Sequence, residues 1–228
     1  MSLEAVTGLP IEIVRTRRRK TASIKIEDGS VRVIVPLRLS AARIEQLVQK
    51  RLSWIRHKLR EQAEVVLPAS REYVSGESFT YLGRNYRLKL LESNLSTVKL
   101  RAGRLELGRT EPEAVREALL VWYRAHALQR LTEKTRRYAR LLQVEPESVT
   151  VKDYKARWGA CSPSGRITYN WRIIIAPHRI VDYVVVHELC HLKHMNHSPA
   201  YWRAVKHELP DYRQRRVWLK SHSQELVV

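Results

Sequence analysis

His187-Glu188-Leu189-Cys190-His191 sets two imidazoles four residues apart with a carboxylate beside the first. On an α-helix, residues four apart share a face, one turn above the other, so both rings can reach one ion. Two neutral nitrogen donors suit Zn²⁺, and the adjoining Glu188 suits a general base acting on a water that the ion activates. Catalytic zinc generally takes three protein ligands and keeps one position open. The sequence offers several third donors: His197, six residues beyond His191; His194, on the same helical stripe; and His207 or Glu208 on the helix that follows. His187 and His194 stand about 10.5 Å apart along a helix axis, so three successive turns converge poorly on one tetrahedral ion. His194 therefore reads as a supporting or surface residue. A break near Met195-Asn196, where Asn tolerates left-handed backbone, turns His197 back toward the pair.

The elements that must position these groups are visible in the patterning. Ile180-Val181-Asp182-Tyr183-Val184-Val185-Val186 reads as a buried helix leading into the motif, with Pro177 near its first turn. Residues 166–173 alternate strictly and predict a half-buried strand, and Val149-Thr150-Val151 predicts another. Between them, residues 157–165 are rich in turn formers. A helix from Pro199 to about Glu208 packs Tyr201, Trp202 and Val205. Upstream, Ile11–Val14, Ser23–Ile26 and Val31–Val35 read as strands with a turn at Asp28-Gly29, and Ser40 starts a long helix to about Glu64. Strands return over 79–82, 86–91, 97–100 and 105–107. Thr110 is placed to cap a second long helix that begins Glu111-Pro112-Glu113. The division this suggests is a strand-rich N-terminal part with one long helix over residues 1–109 and a zinc-bearing catalytic domain over 110–228.

Composition narrows the class. The chain has 228 residues, 44% hydrophobic and 29% charged, as a globular protein with a sizeable core has. No apolar run approaches the roughly 18 residues of a membrane span, the first ten residues lack a signal-peptide layout, and no membrane partner is expected. Two cysteines, Cys161 and Cys190, do not make a disulfide framework, which points to a reducing cytoplasmic compartment. Lysine and arginine number 42 against 23 acids, a net charge of +19, clustered over 15–20, 50–60, 124–140 and 213–220. Such a surface attracts polyanions, nucleic acid included, although many of these charges simply solvate helix faces.

Arg157-Trp158-Gly159-Ala160-Cys161, Tyr169-Asn170-Trp171-Arg172, the His187–His191 motif, and Asn196-His197-Ser198 ahead of Tyr201-Trp202 together resemble the YgjP-like metallopeptidase family, itself related to SprT-like and WLM zinc proteases. Ala160 stands where that family commonly has Ser. The resemblance spans nearly the whole chain. It implies an α+β, zincin-like fold with the HExxH helix beside a small antiparallel sheet, zinc on His187, His191 and His197, and Glu188 as base. Peptide hydrolysis is then the expected reaction, with a protein or peptide substrate paired along residues 166–173 by strand addition. Tyr169, Asn170, Arg172, His194 and Tyr201 are candidates for steadying the oxyanion or touching substrate. Two alternatives keep the metal: a nucleoside-triphosphate hydrolase acting on a phosphoanhydride, and a basic, DNA-associated zinc protease. A purely structural zinc fits poorly, because it needs no base and usually takes four protein ligands.

Overall fold

Val31, Val33 and Val35 occupy alternate positions of one strand, so its pleat delivers all three to the same face. That strand, β3 (Ser30–Pro36), lies between β1 (Ile11–Thr16), parallel to it, and β2 (Ser23–Glu27), antiparallel to it. Its valines pack on Ile44, Val48 and Ile55 of helix α1 (Ala41–Ala63), which recur at helical spacing. The computed structural model describes residues 7–17, 21–27, 29–63 and 71–228. Asp28 of the expected turn, Glu64 at the expected helix end and residues 18–20 of the basic run lie outside them. The chain divides into two compact units between Leu67 and Pro68.

The second unit begins with a four-stranded sheet of order β4-β5-β7-β6: β4 (Ser78–Tyr81), β5 (Arg84–Leu91), β6 (Lys99–Arg101) and β7 (Arg104–Gly108). Phe79, Leu88, Leu105 and Leu107 share one core with Val115, Leu119 and Tyr123 of helix α2 (Pro112–Leu142). The Tyr123 hydroxyl also donates to the Thr80 carbonyl at 2.8 Å. This shared core places the division of the chain before the sheet, whereas patterning alone suggested residues 109/110. The sheet and the long helix bury each other's apolar faces. Thr110 does not cap α2. Pro112 holds the residue before it extended, so Glu111 becomes the N-cap, and it makes no side-chain cap bond.

A second sheet, of order β8-β10-β9, joins β8 (Ser148–Lys152), β9 (Gly159–Cys161) and β10 (Arg166–Asn170). It is mixed rather than wholly antiparallel, because β10 runs parallel to β8 and antiparallel to β9. Strand β10 is the central strand, so residues 166–170 offer no free edge to a substrate; β8 and β9 form the two edges. The strand also stops at Asn170. There the Asn170 side chain accepts from the Arg172 amide at 3.1 Å, starting a 3₁₀ turn over Trp171–Ile175 in which Trp171, Ile173, Ile174 and Ile175 are all buried. Helices α3 (His178–Cys190), α4 (Pro199–Glu208) and α5 (Tyr212–Ser221) follow.

The 3₁₀ turn anchors the start of α3. Leu82 and Gly83 donate to the carbonyls of Ile174 and Ile175 at 2.8 and 3.1 Å. Gly83 has φ +76°, and a Cβ there would stand 2.7 Å from Pro177 Cα, so only glycine fits both the turn and the contact. Helix α3 is buried through Ile180, Val181, Tyr183, Val184, Val185, Val186, Leu189 and Cys190, and it packs on α2, α4, α5 and β9. Near-continuous burial explains how a helix so rich in valine forms: tertiary packing outweighs propensity. Among the described residues, no helix is long and apolar enough to cross a membrane.

Candidate metal centre

The last turn of α3 carries His187 and Glu188, and His191 is its C-cap. Their ring and carboxylate positions follow from helical spacing, as the sequence suggests. The reversal that brings in His197 does not. The helix ends at Cys190, several residues before Met195-Asn196, and neither of those residues adopts left-handed backbone. The chain turns through His191–His194, with the His194 amide donating to the Cys190 carbonyl at 3.0 Å, and bends again at Met195-Asn196, where the sequence suggests a break. It then enters α4 at Ser198, whose hydroxyl accepts from the Tyr201 amide. His197 is the residue just before this cap, so the start of α4 sets where its ring points.

The result is a cluster of His187, His191 and His197 whose ligand atoms lie within 4.8 Å of one another. His187 Nε2 and His197 Nε2 are 3.2 Å apart. Two imidazole nitrogens on one tetrahedral ion, each about 2.0–2.1 Å from it, stand roughly 3.3–3.4 Å apart, so the spacing fits a shared cation. Burial, reinforced by His191 and His197, holds the His187 imidazole at a pKa of about 3. Burial and then His191 also lower that of His197. Both rings are neutral at neutral pH, the form in which imidazole donates to a metal. The His191 Nδ1–H donates to the His194 carbonyl at 3.0 Å, which fixes its tautomer and leaves Nε2 free. Among the described residues His187 Nδ1 is buried without a hydrogen-bond partner, and that ring is held by its neighbours instead. The Tyr201 ring meets it edge-on at 5.4 Å and stacks on His191 at 4.7 Å, while Trp202 stacks on His197 at 5.5 Å.

Glu188 is 5% exposed, with no hydrogen-bond or ion-pair partner among the described residues. Burial pushes its carboxyl up to about 8, and Arg157 pulls it the other way. The carboxylate lies against the edge strand. A Cβ on Gly159 would stand 2.5 Å from Glu188 Oε1 and 2.7 Å from its carboxyl carbon. Gly159 is thus a recess cut to the shape of Glu188. Reading residues 157–165 as turn missed it, although a glycine inside a strand does signal close approach.

The other expected site residues are engaged elsewhere. The fully buried Tyr201 donates its hydroxyl to the His187 carbonyl at 3.0 Å. The Tyr169 hydroxyl pairs with Thr135 at 3.0 Å in the core. Asn170 donates to the carbonyls of Tyr154 and Arg157 at 2.9 and 3.2 Å, tying down the loop that leads into β9. Arg172 forms a two-pronged pair with Asp153, both contacts at 2.9 Å, and His194 contributes its backbone carbonyl. The geometry brings His187, His191 and His197 together beside Glu188; of the other five, only His194 and Tyr201 make a hydrogen bond to this group among the described residues. His207, paired with Glu208, stands outside the cluster.

Residues 20–222 match the family described as YgjP-like, metallopeptidase domain. The chain belongs to that family. Membership makes it a metallopeptidase-type hydrolase, and the α+β fold around the His187–His191 helix is in keeping with it. No curated protein matches the chain. One solved structure, described as the metallopeptidase zymogen of Pyrococcus abyssi abylysin, is similar at 22% identity and a TM-score of 0.36, covering 40% of this chain and 93% of that one. YgjP-like membership and a histidine cluster able to hold a metal thus coincide in one chain.

Proposed function

We propose that this member of the YgjP-like family is a zinc-dependent peptidase in which His187, His191 and His197 hold the ion and Glu188 is the general base. The convergence of three imidazoles within 4.8 Å, beside a buried carboxylate, carries this reading. Three neutral nitrogen donors are a ligand set suited to catalytic zinc. A divalent ion held there supplies Lewis acidity, polarising a carbonyl and making a nearby water easier to deprotonate. Everything else falls to the chain's own side chains. The His194 carbonyl keeps the His191 ring in one tautomer, and Tyr201 holds the backbone of His187. A cation on the three imidazoles would add to the pull of Arg157 toward the ionised form, and Glu188, seated against Gly159, then takes the proton of the attacking water on a carboxylate oxygen and returns it to the leaving amine. Of the two edge strands of its sheet, β9 carries Gly159 against Glu188 and is the one suited to pair with an extended peptide.

The test compares zinc-loaded wild type with Glu188→Gln on unfolded proteins, DNA-bound proteins and nucleoside triphosphates, with metal content measured in parallel. Peptide cleavage is expected to fall by about 10²–10⁴-fold, the range of general acid–base catalysis, with zinc stoichiometry unchanged. Retained cleavage removes Glu188 as base. Turnover confined to triphosphates replaces the substrate class.

A further inference from the structure

A cavity of about 370 Å³ opens beside the histidine cluster, and His187 and Glu188 form part of its wall. Val184, Leu219 and Trp158 give it apolar sides. Arg157, Arg216 and Lys220 bring three cations to it, and among the described residues Glu188 is the only acid that lines it. With 42 basic residues against 23 acids, many cations must lack partners, so unpaired charge alone means little. Placement is what distinguishes these three. None has an ion-pair or hydrogen-bond partner for its charged group among the described residues, whereas Arg215, next in sequence to Arg216, pairs with Asp211 at 2.8 Å, and Arg172 pairs with Asp153. Arg216 is held in place by its guanidinium, 5.0 Å above the Trp202 ring, which in turn stacks on His197. Arg157 is held over Tyr154 at 5.6 Å, on the loop that Asn170 ties down.

Resting on the peptidase reading above, we infer that this cavity is a specificity pocket for a carboxylate of the substrate peptide. Its apolar walls accept a methylene stem, and Arg157, Arg216 and Lys220 receive the charged end. Charge-assisted contacts from guanidinium and ammonium groups are the strong ones for a carboxylate. A neutral side chain of the same shape leaves the cations without that partner, so selectivity comes from charge rather than size. The carboxylate has two sources: an Asp or Glu side chain at a fixed position from the scissile bond, or the terminus of the peptide. The shape of the pocket serves both.

The experiment digests a mixed peptide library with the zinc-loaded full chain, using Glu188→Gln as the blank, and then measures kcat/KM on matched peptides. The pairs carry Glu or Gln at the selected position, and a free or amidated terminus. A Glu188-dependent preference for the carboxylate-bearing member of one pair is expected, at tenfold or more; the pair that responds identifies the source. Lys220→Met should lower kcat/KM for that peptide by about tenfold and leave its neutral counterpart within twofold, whereas Arg216→Met, which also loses the contact with Trp202 over His197, should lower both, the charged peptide about tenfold more. Glu188-dependent cleavage that is indifferent to both charges overturns the pocket assignment and leaves the peptidase standing. Equal losses on charged and neutral peptides in both variants also overturn the assignment. Failure to cleave any peptide, with nucleoside triphosphates turned over instead, overturns the peptidase and the pocket together. The library digest uses the unmodified chain, so it decides even if a variant does not fold.

Discussion

Helix α3 and the segment that faces it, from Asp153 to Ile175, contribute to the same site in opposite ways. The helix supplies chemical groups whose positions follow from its own periodicity: His187 and His191 one turn apart, Glu188 beside them. The facing segment supplies no metal donor. Gly159 contributes the absence of a side chain, and Asn170 contributes hydrogen bonds that hold its own loop. Reactive groups can thus be read as a motif, whereas the precision of their placement depends on residues with no chemistry of their own.

If that contrast holds, losses on the helix side should remove the metal, and losses on the facing side should leave the metal and remove the rate. The largest expected effect is from losing a metal ligand, His187→Ala on the helix or His197→Ala on the segment that follows it. Metal retention after dialysis should fall by more than the about 10–100-fold that loss of a supporting hydrogen bond costs. If His197→Ala keeps full zinc stoichiometry and activity, the third ligand is another group. Next comes Gly159→Ala. A methyl within 2.5–2.7 Å of the Glu188 carboxylate must move it, and a displacement near 1 Å at a reacting group costs about 10²-fold. We expect kcat to drop by that order, with zinc content and thermal midpoint near wild type. Unchanged kcat breaks the comparison, because the recess would then have no bearing on Glu188.

Smaller effects sharpen it. Tyr201→Phe removes the hydroxyl that serves the His187 carbonyl and should cost about 1 kcal/mol of stability, measured by denaturant titration. Its effect on kcat should stay within a few-fold; a loss of 10²-fold or more would return Tyr201 to the transition state. The smallest change concerns Asp153, whose carboxyl is held below its ordinary value of 3.8 chiefly by the Arg172 hydrogen bond. A depressed folded-state pKa contributes stability that is present above the unfolded value and is lost as pH falls through the folded one. The pair is part-exposed, so the contribution is about 0.2–1 kcal/mol and weakens with salt. Arg172→Met should therefore narrow the stability gap between pH 6 and pH 3 by no more than this amount.

Much of the fold was legible because alternation and helical spacing are local. The strands of the first unit, helix α2 and helix α3 all fall where their apolar periods put them. The misreadings share one cause. Residues 166–173 alternate like a strand, but Asn170 caps a 3₁₀ turn, and burial on all sides then replaces alternation. Residues 157–165 look like turn because Gly159, Ser162, Pro163 and Gly165 are turn formers, yet three of the residues pair with β10. Arg216 and Lys220 read as part of a solvated basic cluster, since nothing local shows that they reach the cavity beside His187.

By itself the sequence determined the pair of imidazoles, the carboxylate between them and the family to which the chain belongs, because a helix fixes the relative positions of residues one to four apart. Only the tertiary structure decided which other residues stand near them. His197 arrives through a helix end and a cap, Gly159 through a strand edge laid against Glu188, and Arg216 through a separate helix packed on α3. None of these approaches is encoded in a local period. Each arises where distant segments bury their apolar faces against one another, and that packing brings the polar residues at their margins together.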